Sequence, residues 1–210
     1  MKTQMFTVGR LFTNCYVVSC EQTGEAIIID PGFDDKSEAE EIYSFLDANG
    51  LTLKFIVNTH GHPDHICGNG IVKQSFNVPI LIHESDAYML GKHNGRVSVF
   101  FAFKTFSPPA DILLRNGDLV KFGRTALKVL HTPGHTRGSI SLLGEKEVFV
   151  GDTLFAGSIG RTDFPESSPQ DMLVSLKKLA SLPDYLTVYP GHGPTTTIGE
   201  EKRSNPFLRM

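Results

Sequence analysis

A chain of 210 residues with 40% hydrophobic and 20% charged residues has the length of one domain and the composition of a core-forming protein, which excludes a disordered or fibrous chain. A formal net charge of −3 offers no field to gather polyanions, so nucleic acid is not an expected partner. Three cysteines, Cys15, Cys20 and Cys67, cannot all pair and form no C-x-x-C spacing; a disulfide-stapled scaffold is excluded, and reduced thiols in the cytoplasm are expected.

The opening Met1–Gly9 alternates polar with apolar residues and lacks the apolar stretch and cleavage site of a signal peptide. No apolar run approaches the roughly 18 residues of a spanning helix, so no membrane partner is expected. Leu11–Ser19 and Ala26–Asp30 read as short strands broken at Gln22-Thr23-Gly24. Over Ser37–Asn49, Ala39, Ile42, Phe45 and Leu46 share one helical face, and Gly50 stops the helix. Phe55-Ile56-Val57 and Ile80–His83 are short apolar strands, with a short helix expected over Glu84–Gly91.

The second half opens with a hairpin over Asp118–Leu130, turning at Gly123-Arg124. Ser139–Leu143 and Val148–Val150 flank a second turn at Gly144-Glu145-Lys146-Glu147. A helix over Pro169–Ala180 and a strand over Leu186–Tyr189 follow, and Thr197 with Glu200 opens a last short helix as a capping box. Each half is β-rich first and helical afterwards. Two packed sheets with helices outside satisfy that order in one domain spanning residues 1–210.

The chemistry concentrates in histidines placed just past strand ends. Thr59-His60-Gly61-His62-Pro63-Asp64-His65 puts three imidazoles and a carboxylate within six residues. These are ligands of zinc, iron and manganese, and Gly61 and Pro63 allow the tight folding that lets alternate side chains converge. Further candidates sit beside glycines: His135 in His131-Thr132-Pro133-Gly134-His135-Thr136-Arg137-Gly138-Ser139, Asp152 after Val148-Phe149-Val150-Gly151, and His192 in Tyr189-Pro190-Gly191-His192-Gly193. A single catalytic zinc needs only three protein ligands. Five imidazoles and two carboxylates suit two metals about 3.5–4 Å apart, sharing a carboxylate and a hydroxide.

These motifs, in this order from about Asn14 to Gly193, resemble the metallo-β-lactamase superfamily, and within it the glyoxalase II (hydroxyacylglutathione hydrolase) branch. The resemblance implies an α+β, four-layer αββα sandwich with its site at one edge of the two sheets. It implies that His60, His62 and His135 hold one metal and that Asp64, His65 and His192 hold another, with Asp152 bridging. Two divalent ions are implied, zinc first, with iron or manganese as alternatives. The chain departs from glyoxalase II in ending at Met210, where that enzyme continues into a helical domain that binds glutathione. It departs again at Gly160-Arg161-Thr162-Asp163-Phe164-Pro165, which stands where glyoxalase II has a Lys and a Tyr. Arg161 is the candidate to clamp a substrate carboxylate there, the alternative being a local ion pair with Asp163. The same segment is similar to persulfide dioxygenases, mononuclear iron enzymes of this fold.

The expected reaction is hydrolysis of a small-molecule thioester by a bridging hydroxide. Asp64 and Asp152 act at the reacting centre, and the thiol, with a pKa near about 8.5, leaves without a strong acid. The alternative from another class is persulfide oxidation at one iron held by His60 or His62 with His135 and Asp152; a lactamase, a nuclease and a non-enzymatic binding module are further ones. Other residues have plainer expected roles. Asp30 is placed to orient a ligand histidine, His131 to support the turn before His135, and Cys67 to pack as a small hydrophobe. His83 and His93 have no partners in view. The phenylalanine-rich Val97–Phe106 packs a core, lines an acyl pocket or meets another subunit, so a monomer and a homodimer are both open.

Overall fold

Thr13–Ser19, Glu25–Ile29 and Ile80–His83 are buried along nearly their whole length, as strands covered on both faces must be. In the computed structural model, which describes residues 1–91, 103 and 105–209, they are central strands of a six-stranded sheet. Its strands lie in chain order: β1 (Lys2–Val8), β2 (Thr13–Ser19), β3 (Glu25–Ile29), β4 (Thr52–Val57), β5 (Ile80–His83) and β6 (Ile112–Leu114). The first three pair antiparallel, and β3 to β6 pair parallel. Parallel neighbours need crossovers. Helix α1 (Lys36–Ala48) connects β3 to β4, and α2 (Pro63–Ile66) with α3 (Asn69–Phe76) connects β4 to β5.

The second six-stranded sheet contains β7 (Leu119–Phe122), β8 (Thr125–His131), β9 (Ile140–Leu143), β10 (Glu147–Gly151), β13 (Thr187–Pro190) and β14 (Thr196–Thr197). Helix α4 (Pro169–Ala180) carries the chain from β10 to its parallel neighbour β13, and α5 (Ile198–Ser204) follows β14. A small hairpin of β11 (Leu154–Phe155) and β12 (Ser158–Ile159) projects beyond β10.

The period-two alternation of a strand sorts its side chains into separate layers. Ile27 and Ile29 of β3 pack between the sheets with Val57, Phe122, Leu127 and Phe149. Ala26 and Ile28 point the other way, against Ala39, Ile42 and Leu46 of α1. On the far side, Val148, Val150 and Val188 meet Met172, Leu176 and Leu179 of α4. The result is the α+β helix–sheet–sheet–helix order that the chain pattern predicts.

Several elements differ from the sequence reading. Met1–Gly9 holds an edge strand, with only Phe6 and Val8 of β1 buried. Leu11 and Phe12 lie in a turn, Phe12 at a φ of 56° and 72% exposed, so β2 begins at Thr13. Glu84–Met89 is a 3₁₀ turn rather than an α-helix. Helix α3 and the three-residue edge strand β6 had no periodic signal. Of Val97–Phe106, only Phe103, Thr105 and Phe106 are described; the rest of that segment and His93 lie outside the described residues. Among the described residues no helix is long and apolar enough to cross a membrane, and the three cysteines are buried and free.

His83 has partners after all. Its ring stacks on His131 at a centroid distance of 4.1 Å, and its Nδ1 accepts from the Ser85 N–H, capping the 3₁₀ turn. Burial, then the neighbouring His131, push its pKa down to about 4. The unfolded chain takes up a proton near about 6.5 that the folded chain refuses, so His83 removes stability as pH falls from about 6.5 toward 4. His83→Asn keeps a capping acceptor without titrating. Thermal melts at pH 7 and 4.5 are expected to show the wild type losing about 2–4 °C more than this variant, the equivalent of about 1 kcal/mol. Equal losses would remove His83 from the acid limb.

Candidate metal centre

The two sheets meet at an edge where the strands β4, β10 and β13 end, and every candidate ligand lies just beyond a strand. His60, His62, Asp64 and His65 follow β4, where Pro63 starts α2. His135 lies between β8 and β9, Asp152 follows β10 directly, and His192 follows β13. The last two loops touch so closely that a Cβ on Gly191 would lie 2.1 Å from Asp152 Oδ1 and 2.7 Å from His65 Cε1. Only glycine fits there.

All seven residues converge. The ligand atoms of His60, His62 and His135 lie within 4.8 Å of one another, as do those of Asp64, His65 and His192. Asp152 stands between the two groups. Its Oδ1 is 3.4 Å from His65 Nε2, and its Oδ2 is 3.4 Å from His135 Nε2 and 3.6 Å from His192 Nε2. Asp64 Oδ2 is 3.3 Å from His192 Nε2 and accepts from the Thr13 hydroxyl at 3.3 Å.

The outward nitrogens determine what the inward ones can do. His135 Nδ1 faces the Arg161 carbonyl at 2.9 Å, and His192 Nδ1 faces the Leu11 carbonyl at 3.1 Å. His62 Nε2 faces the Glu166 carboxylate at 2.8 Å, and His65 Nδ1 faces Asp30 Oδ2 at 3.0 Å. The Thr59 hydroxyl donates to Asp30 at 2.6 Å, which leaves its oxygen to accept from His60 Nδ1 at 3.2 Å. Each partner accepts, so each of these nitrogens carries a proton, and in the neutral ring that a metal requires the other nitrogen is a bare lone pair.

Five lone pairs therefore point inward. His62 Nδ1 and His135 Nε2 face each other at 2.8 Å, and His65 Nε2 and His192 Nε2 at 3.3 Å. Two acceptors cannot bond to each other; a cation between them satisfies both. His60 Nε2 and Asp152 Oδ1 are buried with no hydrogen-bond partner, a cost relieved by coordination. The residues present thus fit a pair of divalent ions.

The electrostatics agree with a cation site. Burial first, then the neighbouring histidines, hold His60 well below the usual imidazole range. Burial outweighs Asp152 and brings His135 down to about 4. Both are neutral near pH 7, as ligands must be. Burial pushes the other way on Asp64, but His65 and His192 hold it below the usual carboxylate range. At His65 burial is overcome by Asp64, Asp152 and Asp30, which lift its pKa to about 10. A proton and a metal ion compete for that nitrogen.

Asp30 orients His65, the role expected of it. Two other carboxylates had no sequence signal. Buried Asp86 accepts from Gly61 N–H at 3.0 Å, the Thr136 hydroxyl at 2.6 Å and Gly138 N–H at 2.7 Å. It thereby ties the His60–His62 loop to the His135 loop. Glu166 reaches His62 from 104 residues away. Arg161 forms a bidentate pair with exposed Asp163, both bonds 2.7 Å, and lies over the Phe164 ring at 4.1 Å.

The ligands open into a cavity of about 730 Å³ whose walls are mainly apolar, with Leu11, Tyr88, Met89, Phe103, Phe155 and Phe164 around Asp64, Asp152 and Glu166. Such a space accommodates a small organic molecule.

Known proteins are similar to this chain in sequence and fold. The family model of the metallo-beta-lactamase superfamily matches residues 8–192. Hydroxyacylglutathione hydrolase GloC of Haemophilus influenzae is 36% identical over 218 residues, covering 99% of this chain and 98% of that protein. The crystal structure of BLEG-1 B3 metallo-beta-lactamase superposes with a TM-score of 0.90 at 36% identity over 100% of both chains. TTHA1623 in a di-iron-bound form has a TM-score of 0.86 at 34% identity, covering 98% of this chain and 100% of that one. ETHE1 from Myxococcus xanthus has a TM-score of 0.81 at 31% identity, covering 98% and 84%. The chain belongs to the metallo-beta-lactamase superfamily, as one of its metallo-hydrolases.

Proposed function

We propose that the protein hydrolyses a small-molecule thioester of the hydroxyacylglutathione type. The observation that carries this reading is the pair of converging ligand groups with Asp152 between them. His60, His62 and His135 would hold one divalent ion and Asp64, His65 and His192 the other, with Asp152 shared. Zinc is the proposed metal, with iron and manganese as alternatives. When bound, such ions polarise a carbonyl and bring the pKa of water to about 7.

The chain's own groups supply the rest. Asp64 and Asp152 edge the cavity as acceptors that orient the protons of an attacking water. Asp64 and Glu166 are both held below the ordinary carboxylate range, Asp64 by its histidines against burial and Glu166 by its bond from His62. Neither is suited to protonate a leaving amine. A thiolate, with a conjugate acid near about 8.5, leaves unaided, so the site suits a thioester better than a lactam. The apolar walls receive the acyl group, and Arg161 meets an anionic thiol carrier by exchanging Asp163 for it. The name of the GloC relative supports the substrate class, and three buried free cysteines accord with a cytoplasmic setting.

The G-R-T-D-F segment favours a second reading, persulfide oxidation with one iron at His60 or His62, His135 and Asp152. Metal per chain, measured by mass spectrometry after separate reconstitution with zinc and iron, distinguishes the two. The expected result is about two ions per chain and thiol release from a thioester panel. One iron per chain with oxygen uptake on a persulfide would replace the first reading by the second.

A further inference from the structure

His62 differs from the other four histidines: its inward nitrogen is Nδ1, whereas the others turn Nε2 to the centre. A half-turn of its ring would exchange Nδ1 for the Cδ2 carbon at the centre and Nε2 for the Cε1 carbon at Glu166, and the inward lone pair would be lost. The geometry points to Glu166 as the positioning residue that prevents this exchange and so fixes the lone pair of one metal site. This inference rests on the two-ion reading above.

Glu166 Oε1 accepts from His62 Nε2–H at 2.8 Å, with the carboxylate side chain 21% and the imidazole 12% exposed. A carboxylate in that place selects one tautomer, orients the ring and makes the opposite nitrogen a stronger donor. It belongs to a segment, residues 160–168, whose other groups serve the same trio. The Arg161 carbonyl takes the His135 Nδ1–H, and the Ser167 hydroxyl donates to the His135 carbonyl at 2.7 Å. The Phe164 ring packs edge-on against His62 at 5.2 Å and His135 at 6.3 Å. The Asp64, His65 and His192 group is supported from elsewhere, by Asp30, Thr13 and the Leu11 carbonyl. The supports of His62 and His135 are therefore separate from those of the second group, which meet the first trio only where Thr59 links His60 to Asp30, and weakening Glu166 leaves them standing.

The test is zinc alone, titrated into metal-free full-length protein against a competing colorimetric chelator. With the wild type taking two ions, Glu166→Ala is expected to weaken one of them by roughly 10–100-fold, the usual cost of losing such a support, and to leave the other unchanged. Glu166→Gln keeps an oxygen that accepts from Nε2–H and is expected to retain most of the affinity. Equal weakening of both ions, or affinities identical to wild type, would overturn the proposal. So would a Gln variant as impaired as the Ala variant, since charge alone would then be acting. A wild type that binds no zinc would overturn the two-ion reading and this proposal with it, whereas a normally loaded wild type beside an unaffected Ala variant would overturn this proposal alone.

Discussion

Asp152→Ala is expected to lower kcat by at least about 10²–10³-fold, the scale of losing one preorganised electrostatic group, and to release metal from both sites. The side chain is placed for a double effect. Its Oδ1 lies 3.4 Å from His65 Nε2 and its Oδ2 3.4 Å from His135 Nε2, so one residue serves both ligand groups. Oδ1 is buried without a hydrogen-bond partner, and the aspartate is spent on the centre rather than on the fold. Removing it leaves the lone pairs of His65, His135 and His192 with less negative charge to balance two dications. Metal content and thioester hydrolysis on the same preparation check this. An Asp152→Ala protein with wild-type activity and two ions per chain would end the role of Asp152 as the shared ligand.

Asp30 carries the second large expectation, and there stability and metal binding separate. It is buried, sits at a φ of 50°, and accepts three bonds: Thr59 N–H at 2.7 Å, Thr59 Oγ1–H at 2.6 Å and His65 Nδ1–H at 3.0 Å. Asp30→Ala leaves all three donors without their acceptor, at an expected cost of about 3–5 kcal/mol, or roughly 2–4 °C of melting temperature per kcal/mol. Asp30→Asn is gentler on the fold, because asparagine tolerates the left-handed backbone and its oxygen still accepts from the Thr59 N–H. Its NH₂ group, however, faces His65 Nδ1 and calls for an acceptor there. The proton then moves to Nε2, and His65 loses the lone pair it turns to the centre. The wrong tautomer at a buried Asp–His pair has cost about 10⁴ in rate elsewhere. The expected Asn variant is folded by its thermal melt, binds one ion fewer, and hydrolyses thioester at least about 10²-fold more slowly. Two ions at wild-type affinity would show that the Asp30 carboxylate does not set the tautomer.

Much of the sheet pattern was legible because it is local. Ile27 and Ile29 against Ala26 and Ile28 state in four residues that β3 is covered on both faces. The outermost strands were not legible for the opposite reason. Only Phe6 and Val8 of β1 face a core, and Ile112 and Leu113 of β6 stand 42% and 52% exposed, so burial imposes little pattern on them. Helix α3 begins at Asn69, a buried polar residue tied to Asn58, which reads as a loop until its partner is known.

The candidate ligands were legible for a different reason. A metal needs particular side chains, and the tight turns that gather them need Gly and Pro beside them, so His60-Gly61-His62-Pro63, Gly134-His135 and Gly191-His192 advertise themselves. The acceptors behind those ligands do not. Asp86 meets Gly61, Thr136 and Gly138 across 25 to 52 residues, and Glu166 meets His62 across 104. Nothing in the neighbourhood of a carboxylate in sequence records which distant N–H it will accept. The sequence by itself determined the residue types of the centre, their order and the layered architecture that carries them, because turn chemistry and strand alternation act between neighbours. Only the tertiary structure decided which nitrogen of each imidazole faces inward and that Arg161 is engaged by Asp163. A tautomer and an ion pair depend on which donors and acceptors the fold brings within about 3 Å.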